Sequence, residues 1–205
     1  MTKKRKPSIM FAATDYGHED EIRTIATCLK RYGYNVVNSL IGTLPNDSSL
    51  SNMDNCVNAV QDCDLFFGLI HTDYGSGNIG DKNITREEFR KAVTLDKPRW
   101  GMVAELVVTA RNVVNHLCLA SEVKKKKEEQ TDVRSLVTMR KNSFLDYECI
   151  GFYDEMVQSD KPAEERVGNW IQPYRTQADI LEYIKTNLWV NKKKVLEKLE
   201  KTKTV

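Results

Sequence analysis

Two adjacent glutamates, Glu87 and Glu88, lie near the start of ITREEFRKAVTLDKP (residues 84–98), whose apolar residues recur at helical spacing. Glu87 falls on the charged side of this predicted helix, next to Lys91. The side of Glu88 also carries three apolar residues: Ile84, Ala92 and Leu95. A carboxylate that faces an interior cleft is suited to stabilising positive charge on a bound ligand. Glu88, and not Glu87, is therefore the candidate functional carboxylate.

A purely structural role for Glu88 is also open. Glu88 follows Thr85 by three residues, which is the spacing of a capping box. In that motif the glutamate side chain accepts a hydrogen bond from the backbone N–H of the residue that begins the helix. The sequence leaves both interpretations open, a helix cap or a functional carboxylate.

Polar residues cluster in two loops that share the string Thr-Asp-Tyr-Gly. The first loop is ATDYGHED (residues 13–20), and the second, HTDYGSGNIG, spans residues 71–80. Each loop follows a predicted strand, and in an open α/β sheet such loops border a ligand crevice at the carboxyl ends of the strands. The predicted substrate-binding residues are Thr14, Asp15, Tyr16, His71, Thr72, Tyr74, Gly75 and Ser76.

Gly75, Gly77 and Gly80 have the G-x-G-x-x-G spacing of a dinucleotide-binding fingerprint. That fingerprint belongs in the first strand-to-helix turn, directly before a helix. Here the glycines follow the third predicted strand, and DKNIT separates Gly80 from the next helix. We therefore predict a surface loop that turns sharply or approaches a ligand, and not a Rossmann phosphate site.

The elements that would position these residues alternate between apolar runs and amphipathic helices. Apolar runs begin near Ser8, Tyr34, Asp64 and Arg99, with helical patterns between them. Such alternation predicts a parallel sheet with right-handed crossovers. We expect an α/β, flavodoxin-like sheet of about five strands in the order 2-1-3-4-5, with helices on both faces. The crevice then lies between strands 1 and 3, next to both polar loops.

The second half of the chain is predicted to complete this sheet. Helical patterns within residues 105–158 indicate a helical insertion before the last strand, which is expected in NWIQPY (169–174). Trp170 and Tyr174 of this segment are predicted to be structural, because aromatic residues usually pack in the core. A long final helix follows, and its predicted inward-facing residues are Ile180, Leu181, Ile184 and Leu188.

The chain is predicted to form one domain, because no internal repeat and no Pro/Gly-rich linker divides it. Its basic clusters are typical of solvated termini and loops. The predicted parts are a basic N-terminal tail at 1–6, a single α/β domain at 7–190 with a loop insertion at about 121–143, and a basic helical tail at 191–205.

Composition indicates an ordinary globular protein. The 205 residues are 40% hydrophobic and 29% charged, and the formal net charge is only +2. This charge gives no reason to expect a specific nucleic-acid partner, and no apolar run approaches the roughly 20 residues of a membrane-spanning helix. The apolar segment after KKRK is too short for a signal peptide. We therefore expect a cytoplasmic location and no membrane partner.

The cysteines are predicted to be reduced and unpaired. They are odd in number and form no C-x-x-C pair: Cys28, Cys56, Cys63, Cys118 and Cys149. Scattered thiols without nearby histidines do not match a zinc-binding pattern or a disulfide framework. The sequence predicts neither a metal site nor a bound cofactor.

Four segments resemble a TIR-like family described as a domain of unknown function, found in bacteria and eukaryotes alone or ahead of NTPase signalling modules. They are KPSIMFAATDYGHEDEIRTI, CDLFFGLIHTDYGSG, ITREEFRKAVTLDKPRW and GNWIQPY, and the resemblance covers about residues 6–190. EFRKAVTLDKP is also similar to the helix E-I-x-x-A-x-x-L-G-K-P of TIR and nucleoside deoxyribosyltransferase enzymes. The glutamate of that pattern is catalytic, and it falls on Glu88.

This resemblance implies cleavage or transfer at an N-glycosidic bond, of NAD⁺ in TIR enzymes or of a deoxynucleoside in the transferases. It makes a small-molecule nucleotide the expected partner, with NAD⁺ as a substrate and not a cofactor, and it suggests antiviral or stress signalling. One carboxylate suffices for NAD⁺, because nicotinamide leaves as a neutral molecule and needs no acid, unlike the oxygen of a sugar ether.

The alternative is a non-catalytic TIR-like module that senses a nucleotide or assembles with copies of itself. Arg90 stands two residues after the glutamate, where many relatives have a small residue. A module of this class would act as a homo-oligomer or through a partner signalling protein.

Overall fold

The computed structural model describes residues 5–75, 78–79, 82–122 and 144–202. The strands of this part of the chain are β1 Ser8–Ala12, β2 Asn35–Val37, β3 Leu65–Ile70, β4 Asn78–Ile79, β5 Lys82–Asn83, β6 Arg99–Ala104 and β7 Ile171–Tyr174. Five of them form one sheet in the order β2-β1-β3-β6-β7, and every pairing is parallel. Counted along the sheet strands alone, this order is 2-1-3-4-5, so the predicted fold is confirmed.

The described helices are α1 Glu19–Arg31, α2 Asn52–Asp62, α3 Ile84–Thr94, α4 Glu105–Glu122, α5 Glu148–Met156, α6 Gln177–Ile184 and α7 Lys192–Thr202. One face of the sheet packs against α1, α6 and α7, and the other face packs against α2, α3, α4 and α5. Alternate residues of β3 serve the two faces: Phe67 packs on the first and Phe66 on the second. In the described residues, the helical insertion before the last strand includes α4 and α5.

The register of β1 and β3 positions the candidate site. Ala12 lies opposite Gly68, so the two strands end side by side at the carboxyl edge of the sheet. The reversal of the chain at β1 opens a crevice at this edge. The segment after the second polar loop differs from the predicted loop, because β4 and β5 pair as a short antiparallel hairpin that leads into α3.

Two helix faces differ from those predicted by periodicity. In α2 the helical spacing of Met53, Cys56, Val57 and Val60 predicts one inward face, but the buried residues include Asn55 and Ala59, whereas Met53 and Val57 are only partly buried. Asn55 is buried because its amide satisfies the backbone of the preceding loop. Leu95 follows the last residue of α3 and is 39% exposed, so it does not extend the face of Glu88 as predicted.

The end of the chain corrects two further predictions. The long final helix is interrupted by a π-helical segment, Lys185–Val190, and the predicted inward residue Leu181 is only partly buried. Trp170 is 76% exposed and precedes β7, so it does not pack in the core as predicted. Tyr174, at the other end of that strand, is buried as predicted.

The first and last described residues lie close to segments that contact the domain. Arg5 forms an ion pair with Asp64 at 2.9 Å. On α7, Val195 and Leu199 are buried against the core. Lys193 and Lys194 of this last helix are exposed and Lys192 donates to the Tyr32 carbonyl, so the described part of the helix is an amphipathic element that packs on the domain.

Four cysteines have described side chains, and all four are unpaired: Cys28, Cys56, Cys63 and Cys149. The side chain of Cys118 lies outside the described residues, as does the greater part of the loop insertion predicted at about 121–143. Within the described ranges, no helix has the length and apolar character needed to cross a membrane.

Candidate active site

A pocket of about 560 Å³ opens at the carboxyl edge of the sheet. This volume lies within the range of about 300–1,000 Å³ that is common for small-molecule sites. Its walls come from the loops after β1 and β2, from the start of α2, and from the start of α3. The polar residues that line it are Thr14, Asp15, Tyr16, Asn38, Ser39, Asn46, Asn52, Asn55, Cys56, Asn83, Thr85 and Glu88.

Asn83, and not Thr85, caps the N-terminus of α3. Asn83 has an extended backbone, and its side-chain oxygen accepts a hydrogen bond from the backbone N–H of Arg86 at 2.9 Å. Thr85 is the second residue of the helix, so the predicted capping box between Thr85 and Glu88 is wrong. The carboxylate of Glu88 is therefore free of the structural role that competed with a functional one.

Glu88 projects from the first turns of α3 into the pocket and is only 4% exposed. Burial, followed by the nearby charge of Asp15, raises the pKa of Glu88 to about 8, against a smaller opposite effect of a hydrogen bond with Cys56. Burial, together with this carboxylate, in turn raises the pKa of the Cys56 thiol to about 12. Glu88 is thus mostly protonated at neutral pH in the absence of a ligand.

Asp15 supplies a second carboxylate from the loop after β1. One of its oxygens, Oδ2, accepts a hydrogen bond from the Ser39 hydroxyl at 3.0 Å. The other oxygen, Oδ1, is buried and receives no hydrogen bond from any described residue. Burial raises the pKa of Asp15, although the Ser39 hydrogen bond opposes this shift. The free oxygen can accept a hydrogen bond from a ligand hydroxyl.

The loop after β2 is held in shape by two buried amides. Asn38 donates to the Phe11 carbonyl at 2.9 Å and accepts from the backbone of Ile41. Asn55 of α2 accepts from the backbone N–H of Asp47 at 2.8 Å. These bonds fix this wall of the pocket without adding charge.

The electrostatic character of the pocket follows from its two acids. Glu88 and Asp15 are the ionisable carboxyl groups of the described lining, and that lining contains no Lys, Arg or His. A ligand that brings positive charge close to both acids would favour their ionised forms, whereas a phosphate at the same position would be repelled.

The structure brings some of the predicted binding residues together. Thr14, Asp15, Tyr16 and Gly75 all line the pocket with Glu88. Gly75 has a left-handed backbone (φ +84°), and a Cβ there would lie 3.1 Å from Thr14 Cγ2. The glycine therefore lets the two Thr-Asp-Tyr-Gly loops approach each other closely.

Other predicted binding residues face elsewhere. The Thr72 carbonyl accepts from the backbone of Asp146, and the Tyr74 hydroxyl accepts from Arg86 at 3.0 Å. His71 lies next to Tyr174 in the interior. None of these three side chains lines the pocket. Ser76, Gly77 and Gly80 lie outside the described residues.

Sequence reasoning missed the contributions of the loop after β2, of α2 and of the N-cap of α3 to the pocket. The missed residues are Asn38, Ser39, Asn46, Asn52, Asn55, Cys56 and Asn83. A signal was present for the first two, because they directly follow the apolar run of a strand next to β1 in the predicted order. No comparable pattern marks Cys56, which periodicity assigns to the core.

The fold and the pocket define an open parallel α/β domain with a polar pocket at the switch point of its sheet. The chain belongs to the DUF4062 family, a domain of unknown function, whose sequence profile matches residues 8–201. Comparisons with curated proteins and with solved structures gave no match. The family establishes kinship without assigning a reaction, so the chemistry has to be argued from the site.

Proposed function

We propose that the pocket binds a nucleotide or nucleoside by its ribosyl group and that the protein cleaves or transfers at the N-glycosidic bond of NAD⁺ or of a nucleoside. The observation that carries this proposal is the pair of acids, Glu88 and Asp15, in a switch-point pocket whose described lining is free of basic residues. Breaking the C1′–N bond moves its electron pair to the base and leaves positive charge on the ribosyl group. Preorganised carboxylates stabilise this charge.

The two acids have different roles in this proposal. The cationic nicotinamide riboside part of NAD⁺ lowers the pKa of Glu88 on binding, because an opposite charge favours the carboxylate. That carboxylate then faces the developing oxocarbenium ion, while Oδ1 of Asp15 accepts a hydrogen bond from a ribose hydroxyl. Nicotinamide leaves as a neutral molecule, and water adds to C1′ with the loss of one proton.

The resemblance to TIR and deoxyribosyltransferase enzymes supports the same assignment. The catalytic glutamate of their shared helix pattern falls on Glu88. Arg90, the departure from that pattern, pairs with Glu87 and with Glu155 of α5 and does not line the pocket. A role in antiviral or stress signalling is proposed from this resemblance alone.

The test is incubation of purified protein with NAD⁺ and, separately, with deoxynucleosides, followed by chromatography of the products. We expect release of nicotinamide or of a free base. Glu88→Gln should lower the rate by about 10²–10³-fold, the loss typical of a removed transition-state contact. Glu87→Gln is the matched control and should retain activity, because Glu87 lies outside the pocket. Equal activity of Glu88→Gln and wild type would refute the proposed role.

The pH profile separates the two substrate classes. If the ionised form of Glu88 acts on NAD⁺, kcat/KM should rise with pH toward a plateau above about 8, the pKa of the free protein. If protonated Glu88 donates to the leaving base of a nucleoside, kcat/KM should instead fall above that pH.

A nucleotide-sensing module without chemistry is the second candidate. The raised pKa of Glu88 favours it, since a carboxyl that stays protonated near pH 7 can donate a hydrogen bond to a ligand. Saturable nucleotide binding in calorimetry, with no product after long incubation, would support this candidate. Self-association, its other form, stays a prediction that light scattering tests.

A further inference from the structure

Three potential metal ligands meet beside α1, at the same edge of the sheet as the pocket. His18 directly precedes α1, Glu21 lies in its first turn, and His71 follows β3. One nitrogen or oxygen atom of each lies within 4.8 Å of such an atom of the other two. None of the three lines the pocket of Glu88. They form a separate group, called here the histidine cluster.

Two buried atoms of the histidine cluster lack partners. His71 is only 2% exposed, and its Nε2 has no hydrogen-bond partner within the described chain. The buried Oε1 of Glu21 likewise has no hydrogen-bond partner there, and it lies 3.7 Å from His71 Nδ1, which is too far for a hydrogen bond. Buried polar atoms are normally satisfied, and leaving two of them unpaired in one place is costly. A cation bound between them would satisfy both.

The remaining nitrogens have the partners that metal-binding histidines usually have. His71 Nδ1 lies 2.8 Å from the Tyr174 hydroxyl, and His18 Nε2 lies 2.9 Å from Asp73 Oδ2. A histidine that binds a metal commonly donates its other N–H to a carboxylate or another oxygen, which fixes the tautomer. With the proton of His71 on Nδ1, its Nε2 carries the lone pair. Burial, and next the neighbouring His18, lower the pKa of His71 to about 3, so this ring is neutral.

We propose that His18, Glu21 and His71 bind one divalent transition-metal ion, with Zn²⁺ as the ion to test. Two imidazoles and one carboxylate are an established donor set for Zn²⁺ and leave a position for water. The ligand atoms would draw together on binding, since zinc–ligand distances are about 2.0–2.2 Å. The rings of His18 and His71, now stacked at 3.7 Å, would tilt apart. The ion would join α1 to β3 and fix the loop that carries Asp15.

The experiment is a calorimetric titration of the chelator-treated full chain with ZnCl₂. We expect saturation at one equivalent and a higher Tm with Zn²⁺ present. His18→Asn and Glu21→Gln should each weaken binding at least about tenfold, and Asp73→Asn by about 10–100-fold, the usual loss for a partner of a metal-binding histidine. His116→Asn is the matched control and should bind as wild type does, because His116 is exposed on α4, away from the histidine cluster.

Cobalt distinguishes the histidine cluster from cysteine sites. Co²⁺ bound to nitrogen and oxygen gives visible bands without the thiolate charge-transfer absorption that binding to a cysteine would add. His18→Asn and Glu21→Gln are the decisive variants, because both side chains are more exposed than that of His71 and are easier to replace without unfolding. Absence of one-equivalent binding, a thiolate band, or unchanged affinity in both variants would overturn the proposal. None of these measurements needs a nucleotide, so the result is independent of the proposed enzymatic function.

Discussion

Glu87 and Glu88 are neighbours in the sequence, yet α3 places them in opposite surroundings. On the α5 side, Glu87 pairs with Arg90, and Glu155 receives hydrogen bonds from both Arg86 and Arg90. On the pocket side, the described side chains that shift the pKa of Glu88 are the Cys56 thiol and a second acid, Asp15. The pKa values of Glu155 and Glu88 therefore shift in opposite directions. Burial acts to raise the pKa of Glu155, but the hydrogen bonds from Arg90 and Arg86 hold it below its usual value.

This difference is the one expected between a structural carboxylate and a candidate functional one. The ion pairs of Arg86 and Arg90 with Glu87 and Glu155, called here the arginine network, hold α3 against α5. Each acid in this network has a cation that offsets the loss of its hydration. Ionising Glu88 without such a partner destabilises the fold, so packing gives no reason to place an acid there. Perturbed acids in a cleft of this kind are typical of functional sites.

Replacing Glu88 with glutamine gives the largest expected effect on stability. Folded Glu88 keeps its proton up to about pH 8, whereas the unfolded chain loses it near the ordinary value of 4.5. Between these values the folded state binds more protons, so the stability of the wild type falls as pH rises. Relative to wild type, Glu88→Gln should gain roughly 3–4 kcal/mol between pH 5 and pH 8.5.

Urea unfolding of both proteins at several pH values measures this gain. Near pH 5 the two should differ little, because the carboxyl is neutral and similar in shape to the amide. Parallel stability curves across the whole range would mean that Glu88 ionises normally, and the contrast between the two sides of α3 would disappear.

In the arginine network, removal of a carboxylate charge should destabilise the protein, whereas at position 88 it should stabilise it. Glu155→Gln leaves Arg86 and Arg90 without their shared carboxylate and should cost about 1–2 kcal/mol at low salt. The loss should shrink in 1 M salt, because these side chains are partly exposed and screening weakens the pair. Melting at two ionic strengths checks this, and a loss that does not change with salt would point to packing instead.

The fold was predictable because its signal is repeated along the chain. The apolar run of β3 and the helical periodicity of α1 are each long enough to identify the element, and their alternation restricts the sheet to a parallel one. The faces of α2 were less predictable. Asn55 is buried because its side chain hydrogen-bonds to the preceding loop in the folded protein, and the pattern of hydrophobic residues does not predict such a bond.

The site was predictable in part for the same reason. The predicted strand order indicated that the loops of Asp15 and Gly75 meet, and helix periodicity predicted that Glu88 lies on the side of α3 that faces them. The cap was missed because Thr85 and Asn83 are both good N-cap residues, and only the geometry of the preceding hairpin decides between them. His18 and His71 are 53 positions apart, and no local pattern links them with Glu21.

The cap supplies the third prediction. Asn83→Ala should destabilise the protein by about 1 kcal/mol or more, because α3 loses its N-cap and the Tyr74 carbonyl loses a donor. Asn83→Ser keeps a capping oxygen and should recover part of this loss. If alanine at position 83 is neutral in urea unfolding while Thr85→Ala is costly, the cap lies at Thr85 after all, and the structural interpretation of Glu88 returns.

The smallest expected effect belongs to Glu87. Its carboxylate forms an (i, i+3) pair with Arg90, and the Arg90 side chain is 40% exposed and retains Glu155 as a partner. Exposed pairs of this kind contribute about 0.2–0.5 kcal/mol, so Glu87→Gln should unfold within about 0.5 kcal/mol of wild type at every pH from 5 to 8.5. Glu88→Gln, by contrast, is expected to alter both the pH dependence of stability and any cleavage of NAD⁺ or nucleosides. Side-by-side urea curves and product assays of these two variants therefore test the contrast directly, because a pH-dependent gain in stability or a loss of cleavage in Glu87→Gln would show that the two faces of α3 are not distinct.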